Sequence, residues 1–312
     1  MRWLTRLRRW LQTSSARTTE PVSGPTPDTP PNHQLSYAQT VPPGWRRWVV
    51  HLLEFTTAKP ALLRLVRRFR REGIPTGPAF FPAILRVMGV SVEIDREAQA
   101  RIPREGPLVV VANHPRGLID GIVVADMLGE VRQDYKILSR RILRAVRPIA
   151  ELSIPVPFPH EPDAREAAVA MRRAALAQLR EGGAVIVFPA GEIAGALSPW
   201  GAAVEGDWHV FTAKLIRESG ATVVPVALPG QASRSYLIAG RLSRTLRQGL
   251  LLREIKLVLR RPQRVVIGTP LAPDDPLLQG PLTEMPARLR GHVLEMLDAK
   301  RGQRVGTGSG PE

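Results

Sequence analysis

The stretch Leu108-Val109-Val110-Val111-Ala112-Asn113-His114-Pro115-Arg116-Gly117-Leu118-Ile119-Asp120-Gly121 decides how this chain is read. An apolar, β-branched run reads as a buried strand. It breaks into a polar turn at Asn113, and a helical stretch follows near Gly121–Leu128. Working outward, the same pattern recurs. Candidate strands are Leu108–Ala112, Ala184–Phe188, Val223–Ala227 and Arg264–Ile267, and helical segments lie between them. The helix over Asp163–Glu181 has a clear start, with Asp163 as N-cap and Glu166 three residues on, and Gly182-Gly183 ends it. Another spans Trp208–Glu218 and a closing one Leu282–Leu297. From about residue 90 the chain therefore predicts an α/β domain, a mixed sheet flanked by helices, with no internal repeat.

The whole chain has 312 residues, enough for one large domain or two small ones. Its 44 Lys+Arg against 28 Asp+Glu leave a net charge of +16, which points to a phosphate-rich partner, nucleic acid or an anionic membrane surface. Only five of the cations are Lys, so part of the excess reflects plain arginine usage. Cysteine is absent, which excludes disulfide scaffolds, thiolate zinc sites and cysteine nucleophiles. No apolar run is long enough for an ordinary transmembrane helix, and the first residues lack the hydrophobic region of a secretory signal.

Residues 1–12 read as an amphipathic basic helix, with Trp3, Leu4, Leu7, Trp10 and Leu11 opposite Arg2, Arg6 and Arg9. Residues 13–43, with seven prolines among Ser, Thr and Gly, read as a disordered linker. The folded domain is expected over 44–300 and a flexible tail over 301–312. Within 44–72 an amphipathic helix pair opens the domain. Trp45, Trp48, Val49, Leu52 and Phe55 form one stripe, closed by Pro60. Leu62, Leu65, Val66 and Phe69 form the next, opposite Arg64, Arg67, Arg68 and Arg71. Such stripes suit packing onto the domain, contact with lipid, or both.

Of six histidines only His114 sits in a chemically loaded context, directly after a strand in an α/β pattern, where sites are usually built. Five residues separate it from Asp120. A histidine held by a carboxylate makes a competent general base, the carboxylate fixing the tautomer and stabilising the imidazolium. A structural reading competes: His114 capping the strand-to-helix turn and Asp120 acting as N-cap. With no Cys and no G-x-S-x-G elbow, the proton comes from a substrate. The second strand ends in Phe188-Pro189-Ala190-Gly191-Glu192, a turn that opens backbone N–H groups toward an oxyanion or a phosphate. The third ends in Val223-Val224-Pro225-Val226-Ala227.

In this order and spacing, the Asn113-His114-x5-Asp120 segment, the Phe188–Glu192 turn and the Val-Pro-Val-Ala strand resemble the glycerolipid acyltransferase superfamily, which includes lysophosphatidate acyltransferases. The likeness covers roughly residues 85–272, taking in Lys136–Arg140, Ile154–Val156, Trp208–Lys214 and Gly240–Pro270. It is closer to the haemolysin-like or ornithine-lipid acyltransferase branch. The resemblance implies a glycerol-3-phosphate acyltransferase-like fold and transfer of a fatty acyl group to a lyso-lipid. The donor would be acyl-carrier protein or a coenzyme A thioester, a co-substrate; no cofactor and no metal are expected. His114 would be the base and Asp120 would orient it. Asn113, Arg116, Gly117, Arg140, Phe188, Pro189, Gly191 and Glu192 would contact substrate. The protein would sit at the cytoplasmic face of the membrane as a peripheral or monotopic enzyme.

The sequence departs from the common lysophosphatidate pattern in three places. Five residues rather than four separate His114 and Asp120, so the loop must bulge. The usual Phe-Pro-Glu-Gly-Thr has become Phe188-Pro189-Ala190-Gly191-Glu192. No arginine stands out around Ile154–His160, although Arg116, Arg140 and Arg141 offer anion contacts. These changes point away from glycerol 3-phosphate-type acceptors and toward another lyso-lipid, such as one with an amino-acid headgroup. Two other classes compete: an inactive lipid- or acyl-carrier-binding module, and a nucleic-acid-binding protein. The intact His114/Asp120 pair speaks against the first. Low aromatic content, 5%, with the Trp and Phe residues on amphipathic stripes, speaks against the second.

Overall fold

The computed structural model describes residues 36–41, 43–140, 147–157 and 163–306. The expected helix over 1–12, most of the expected linker and residues 307–312 lie outside them. Along the chain run helices α1 (Trp45–Thr57), α2 (Lys59–Arg71) and α3 (Phe80–Met88), strand β1 (Val92–Ile94), α4 (Arg96–Ala100), β2 (Leu108–Ala112) and α5 (Leu118–Gly129). Then come β3 (Tyr135–Arg140), β4 (Ser153–Val156), α6 (Ala164–Arg180), β5 (Ala184–Val187), the short strands β6 (Gly195–Ala196) and β7 (Ala203–Val204), and α7 (Val210–Ser219). The chain continues through β8 (Thr222–Ala227), α8 (Arg234–Leu242), α9 (Arg244–Gly249), α10 (Leu251–Val258), β9 (Gln263–Ile267) and α11 (Met285–Gly306).

The main sheet has the order β1-β9-β8-β2-β5-β3-β4, and only the β8–β9 pairing is antiparallel. It is the mixed α/β sheet that the alternation of strands and helices predicts. Every residue of β2 and β5 is buried, because both faces of the sheet are covered. Leu108, Val110 and Ala112 join α3 and α5 on one side; Val109 and Val111 join α6, α7 and α11 on the other. β2 lies between β8 and β5 with all three running in one direction, so their C-terminal ends meet at one edge.

β1, β3 and β4 escape a reading by apolar runs. β1 and β4 are short, β3 is only half-buried, and the three carry Glu93, Lys136 and Pro155. Pro155 is tolerated because β4 is an edge strand, where a missing N–H costs least. Pro60 does not close α1, which stops at Thr57; it lies in the first turn of α2, where its absent N–H would be unpaired anyway. The closing helix runs to Gly306 rather than ending at Leu297.

The linker boundary also moves. Ser36–Val41 packs on α1 through a 3-10 turn over Tyr37–Thr40. Glu54 of α1 holds it, accepting from Ser36 Oγ at 2.6 Å and from the Tyr37 N–H at 2.7 Å. Burial pushes the Glu54 carboxyl above its ordinary range, against the lowering effect of those two donors. This inward pull decides which face of α1 is covered. Val50 and Glu54 are buried, while Trp45, Trp48, Leu52 and Phe55 are exposed. On α2 the pattern is the ordinary one: Leu62 and Phe69 are buried, and Arg64, Arg67, Arg68 and Arg71 face solvent. Among the described residues no helix is long and apolar enough to cross a membrane.

Candidate active site

The site is built where β2 ends. Chain direction reverses over Asn113–Gly117, and α5 begins at Leu118. Gly117 makes this possible. Its φ of 80° and ψ of −130° lie in a region that costs glycine alone little, and a Cβ there would meet Ile193 Cδ1 at 2.6 Å. This is the bulge that five intervening residues require. Asp120, in the first turn of α5, folds back so that its Oδ2 accepts the N–H groups of Arg116 at 2.7 Å and Gly117 at 2.9 Å. The N-cap is therefore Gly117, whose N–H is accepted by the Asp120 side chain from the third helical position while its carbonyl accepts the Asp120 N–H.

The same Oδ2 lies 3.0 Å from His114 Nδ1, with the two side chains 19% and 5% exposed. Nδ1 is buried and forms no aligned hydrogen bond, so the Asp120 oxygen lies close beside it but off the line of a ring N–H. One carboxylate oxygen both caps the helix and lies against the imidazole. The Phe188 ring covers His114 with a centroid separation of 4.4 Å and a tilt of 36°.

Both backbone groups of His114 are also held. Its N–H donates to Glu205 Oε2 at 3.1 Å, and its carbonyl accepts from the Ala194 N–H at 2.9 Å. Glu205 is buried and takes a second donor, the Trp208 indole N–H, at 3.2 Å. Burial is the main cause that raises its carboxyl above the ordinary value of 4.5; the His114 N–H and Trp208 indole oppose it. Neither residue was singled out for chemistry from sequence. Glu205 lies among small residues, Ala202-Ala203-Val204-Glu205-Gly206, with no motif around it. Trp208 reads as the start of a helix that begins only at Val210.

Several expected substrate contacts are occupied within the protein. The Asn113 carboxamide donates to the Leu228 carbonyl at 3.0 Å and accepts the Leu228 N–H at 2.7 Å, tying the ends of β2 and β8. Arg116 donates to Gln263 Oε1 at 2.6 Å, and its guanidinium fills the space beside Gly230. Arg140 donates to the Gly191 carbonyl at 2.6 Å. Arg141 lies outside the described residues. The oxyanion role expected of Gly191 meets an obstacle: its own N–H is spent on the Phe188 carbonyl at 2.9 Å, closing the turn with a φ of 68°. Pro189 is buried and its carbonyl accepts the His209 N–H, so it anchors the start of α7. Glu192 is exposed and pairs with Arg247 at 3.4 Å on the rim. The structure thus gathers His114, Asp120, Gly117, Phe188 and Gly191 closely, and sets Asn113, Arg116 and Glu192 on the surrounding scaffold.

A crystal structure of the 1-acyl-sn-glycerophosphate (LPA) acyltransferase PlsC from Thermotoga maritima is similar, at 17% identity and a TM-score of 0.41, over 81% of this chain and 96% of that one. No curated protein matches the chain in sequence. A family model described as Acyltransferase matches residues 36–259, from the turn on α1 through α10, and by that match the chain belongs to the acyltransferase family.

Proposed function

We propose that the protein moves a fatty acyl group from acyl-carrier protein or a coenzyme A thioester to the hydroxyl of a lyso-lipid, with His114 as general base. The observation that carries this reading is the 3.0 Å approach of Asp120 Oδ2 to His114 Nδ1 at the C-terminal edge of a parallel β2, in a chain of the acyltransferase family. Asp120 beside Nδ1 favours the tautomer with its proton there, which leaves Nε2 to accept a proton. The acceptor hydroxyl gives its proton to Nε2 as its oxygen attacks the thioester carbonyl. The tetrahedral intermediate collapses, the C–S bond breaks, and the departing thiolate takes the proton from the imidazolium. An ester and a free thiol result.

Gly117, Phe188 and the turn through Gly191 shape the place where these atoms meet; Asn113, Arg116, Arg140, Pro189 and Glu192 hold that shape or line its rim. Glycerolipid chemistry and the haemolysin-like branch rest on the motif resemblance around His114–Asp120 and Phe188–Glu192; the departures at Ala190, Glu192 and the five-residue loop favour an acceptor other than glycerol 3-phosphate. The outward aromatic face of α1, the arginine face of α2 and the net charge of +16 support a peripheral position on anionic lipid at the cytoplasmic face. Incubation with labelled acyl-carrier protein or acyl-coenzyme A and a lyso-lipid extract should yield a diacylated lipid, identified by mass spectrometry. Free fatty acid as the sole product would contradict the assignment.

A further inference from the structure

Between Gly191 and Trp208 the chain leaves the sheet edge and returns to it, and each arm of this excursion holds the backbone of His114. Ala194 on the outgoing arm donates to its carbonyl, and Glu205 on the returning arm accepts its N–H. Between the arms β6 and β7 pair antiparallel. The inner side of this hairpin packs Ile193, Ala196 and Ala203 against Tyr236 and Leu237 of α8. Three arginines latch it from outside the hairpin: Arg234 donates to the Gly201 carbonyl, Arg241 to Leu197 and Arg247 to Ile193. A segment held this firmly would be expected to bury its apolar residues, yet Leu197 and Trp200 at its tip are each 80% exposed, and Leu242 at the end of α8 is 72% exposed.

The charge around the tip is predominantly basic. Residues 234–249 contain Arg234, Arg241, Arg244 and Arg247 and no acid. Of the three acids in the excursion, Glu205 is buried beneath the hairpin, Glu192 is paired with Arg247, and Asp207 is exposed on the returning arm. Protruding apolar side chains beside guanidinium groups match the boundary of a bilayer: the indole and leucine enter the headgroup–acyl border while the arginines meet lipid phosphates. We propose that the β6–β7 tip is a docking element for an anionic bilayer surface, placed so that docking and the His114 backbone share one rigid segment. An acidic carrier protein is the competing partner. The bilayer is favoured because α9 packs against both α8 and α1, whose Trp45, Trp48, Leu52 and Phe55 are exposed as well. Apolar side chains thus project from two separate elements joined through an arginine-bearing helix. An extended lipid surface serves both, whereas a small folded partner needs only one.

The consequence for activity rests on the lyso-lipid acyltransferase reading; the binding itself does not. The test is the double substitution Leu197→Glu/Trp200→Glu in the full chain, with sedimentation on phosphatidylcholine vesicles made with and without phosphatidylglycerol. Both side chains are exposed, so an unchanged melting temperature is expected and is measured first. The variant should partition about tenfold more weakly onto the phosphatidylglycerol vesicles. Its turnover of vesicle-embedded lyso-lipid should fall by a similar factor, and its turnover of a short-chain, water-soluble acceptor should stay unchanged. Undiminished vesicle binding overturns the proposal. Undiminished binding with a raised KM for acyl-carrier protein overturns it in favour of carrier docking. An equal loss on both acceptors overturns the claim that the tip acts through docking. If the wild-type chain acylates no acceptor, the vesicle measurement alone still decides, so failure of the enzymatic reading is told apart from failure of this one.

Discussion

Glu54 and Glu205 are the same device used in two parts of the molecule. Each is a buried carboxylate, 0% and 5% exposed, that collects one backbone N–H and one side-chain donor, and each is held above its ordinary range by burial. Glu54 gathers Ser36 and Tyr37 and so fastens the 3-10 turn onto α1. Glu205 gathers His114 and Trp208, and so fastens the backbone of the proposed base. The difference teaches that a buried acid takes its meaning from what it holds. One contributes to stability at the periphery; the other converts the rigidity of a hairpin into the placement of an imidazole.

The sharpest way to break this comparison is to neutralise Glu205. Glu205→Gln leaves an amide of nearly the same shape beneath the hairpin, yet should cut kcat about tenfold to a hundredfold with KM little changed, since small misplacements of a reacting group cost that much. Steady-state kinetics with a fixed thioester reads the split; an unchanged kcat would reduce Glu205 to scaffold. The pH dependence carries a sign. Because the folded carboxyl titrates above its ordinary 4.5, its contribution to stability is full below that value and is lost as pH rises through the folded pKa. The Gln variant lacks this loss, so its stability relative to wild type should improve as pH rises above 4.5, which denaturant melts at several pH values would show.

The smaller effect belongs to Glu54. Glu54→Ala leaves the Ser36 hydroxyl and Tyr37 N–H without their acceptor and should cost about 2–3 kcal/mol of stability by denaturant titration, while kcat stays within about twofold. A large loss of turnover in that variant would erase the distinction between the two acids.

Much of the site was legible because its logic is local. A fully buried strand, an abrupt polar turn and an acid one helical turn on are all contiguous, so His114, Asp120 and the need for a bulge follow from Leu108–Gly121 alone. The placement of Asp120 was half legible: capping and orientation read as rivals, yet the one oxygen that accepts the Arg116 and Gly117 N–H groups also lies 3.0 Å from His114 Nδ1. What stayed hidden is non-local. Glu205 is 91 residues from His114, and only the return of the β6–β7 hairpin brings them together. Periodicity marked the aromatic stripe of α1 but not its direction, because the inward pull comes from Glu54 on the opposite face. The Gly191 turn was recognised, but hydrogen bonding within the turn decides where its N–H is spent. The strands β1, β3 and β4 were invisible since half-buried strands need no apolar run.

The most direct test of the account is His114→Ala with the rest of the chain intact. Transfer of a labelled acyl group from the thioester to lyso-lipid should fall at least about a thousandfold, the upper part of what a positioned base contributes. The melting temperature should hardly move, because the ring caps no helix and its backbone anchors to Ala194 and Glu205 remain. Acyl transfer at the wild-type rate by this folded variant would contradict the assignment of His114 as the base.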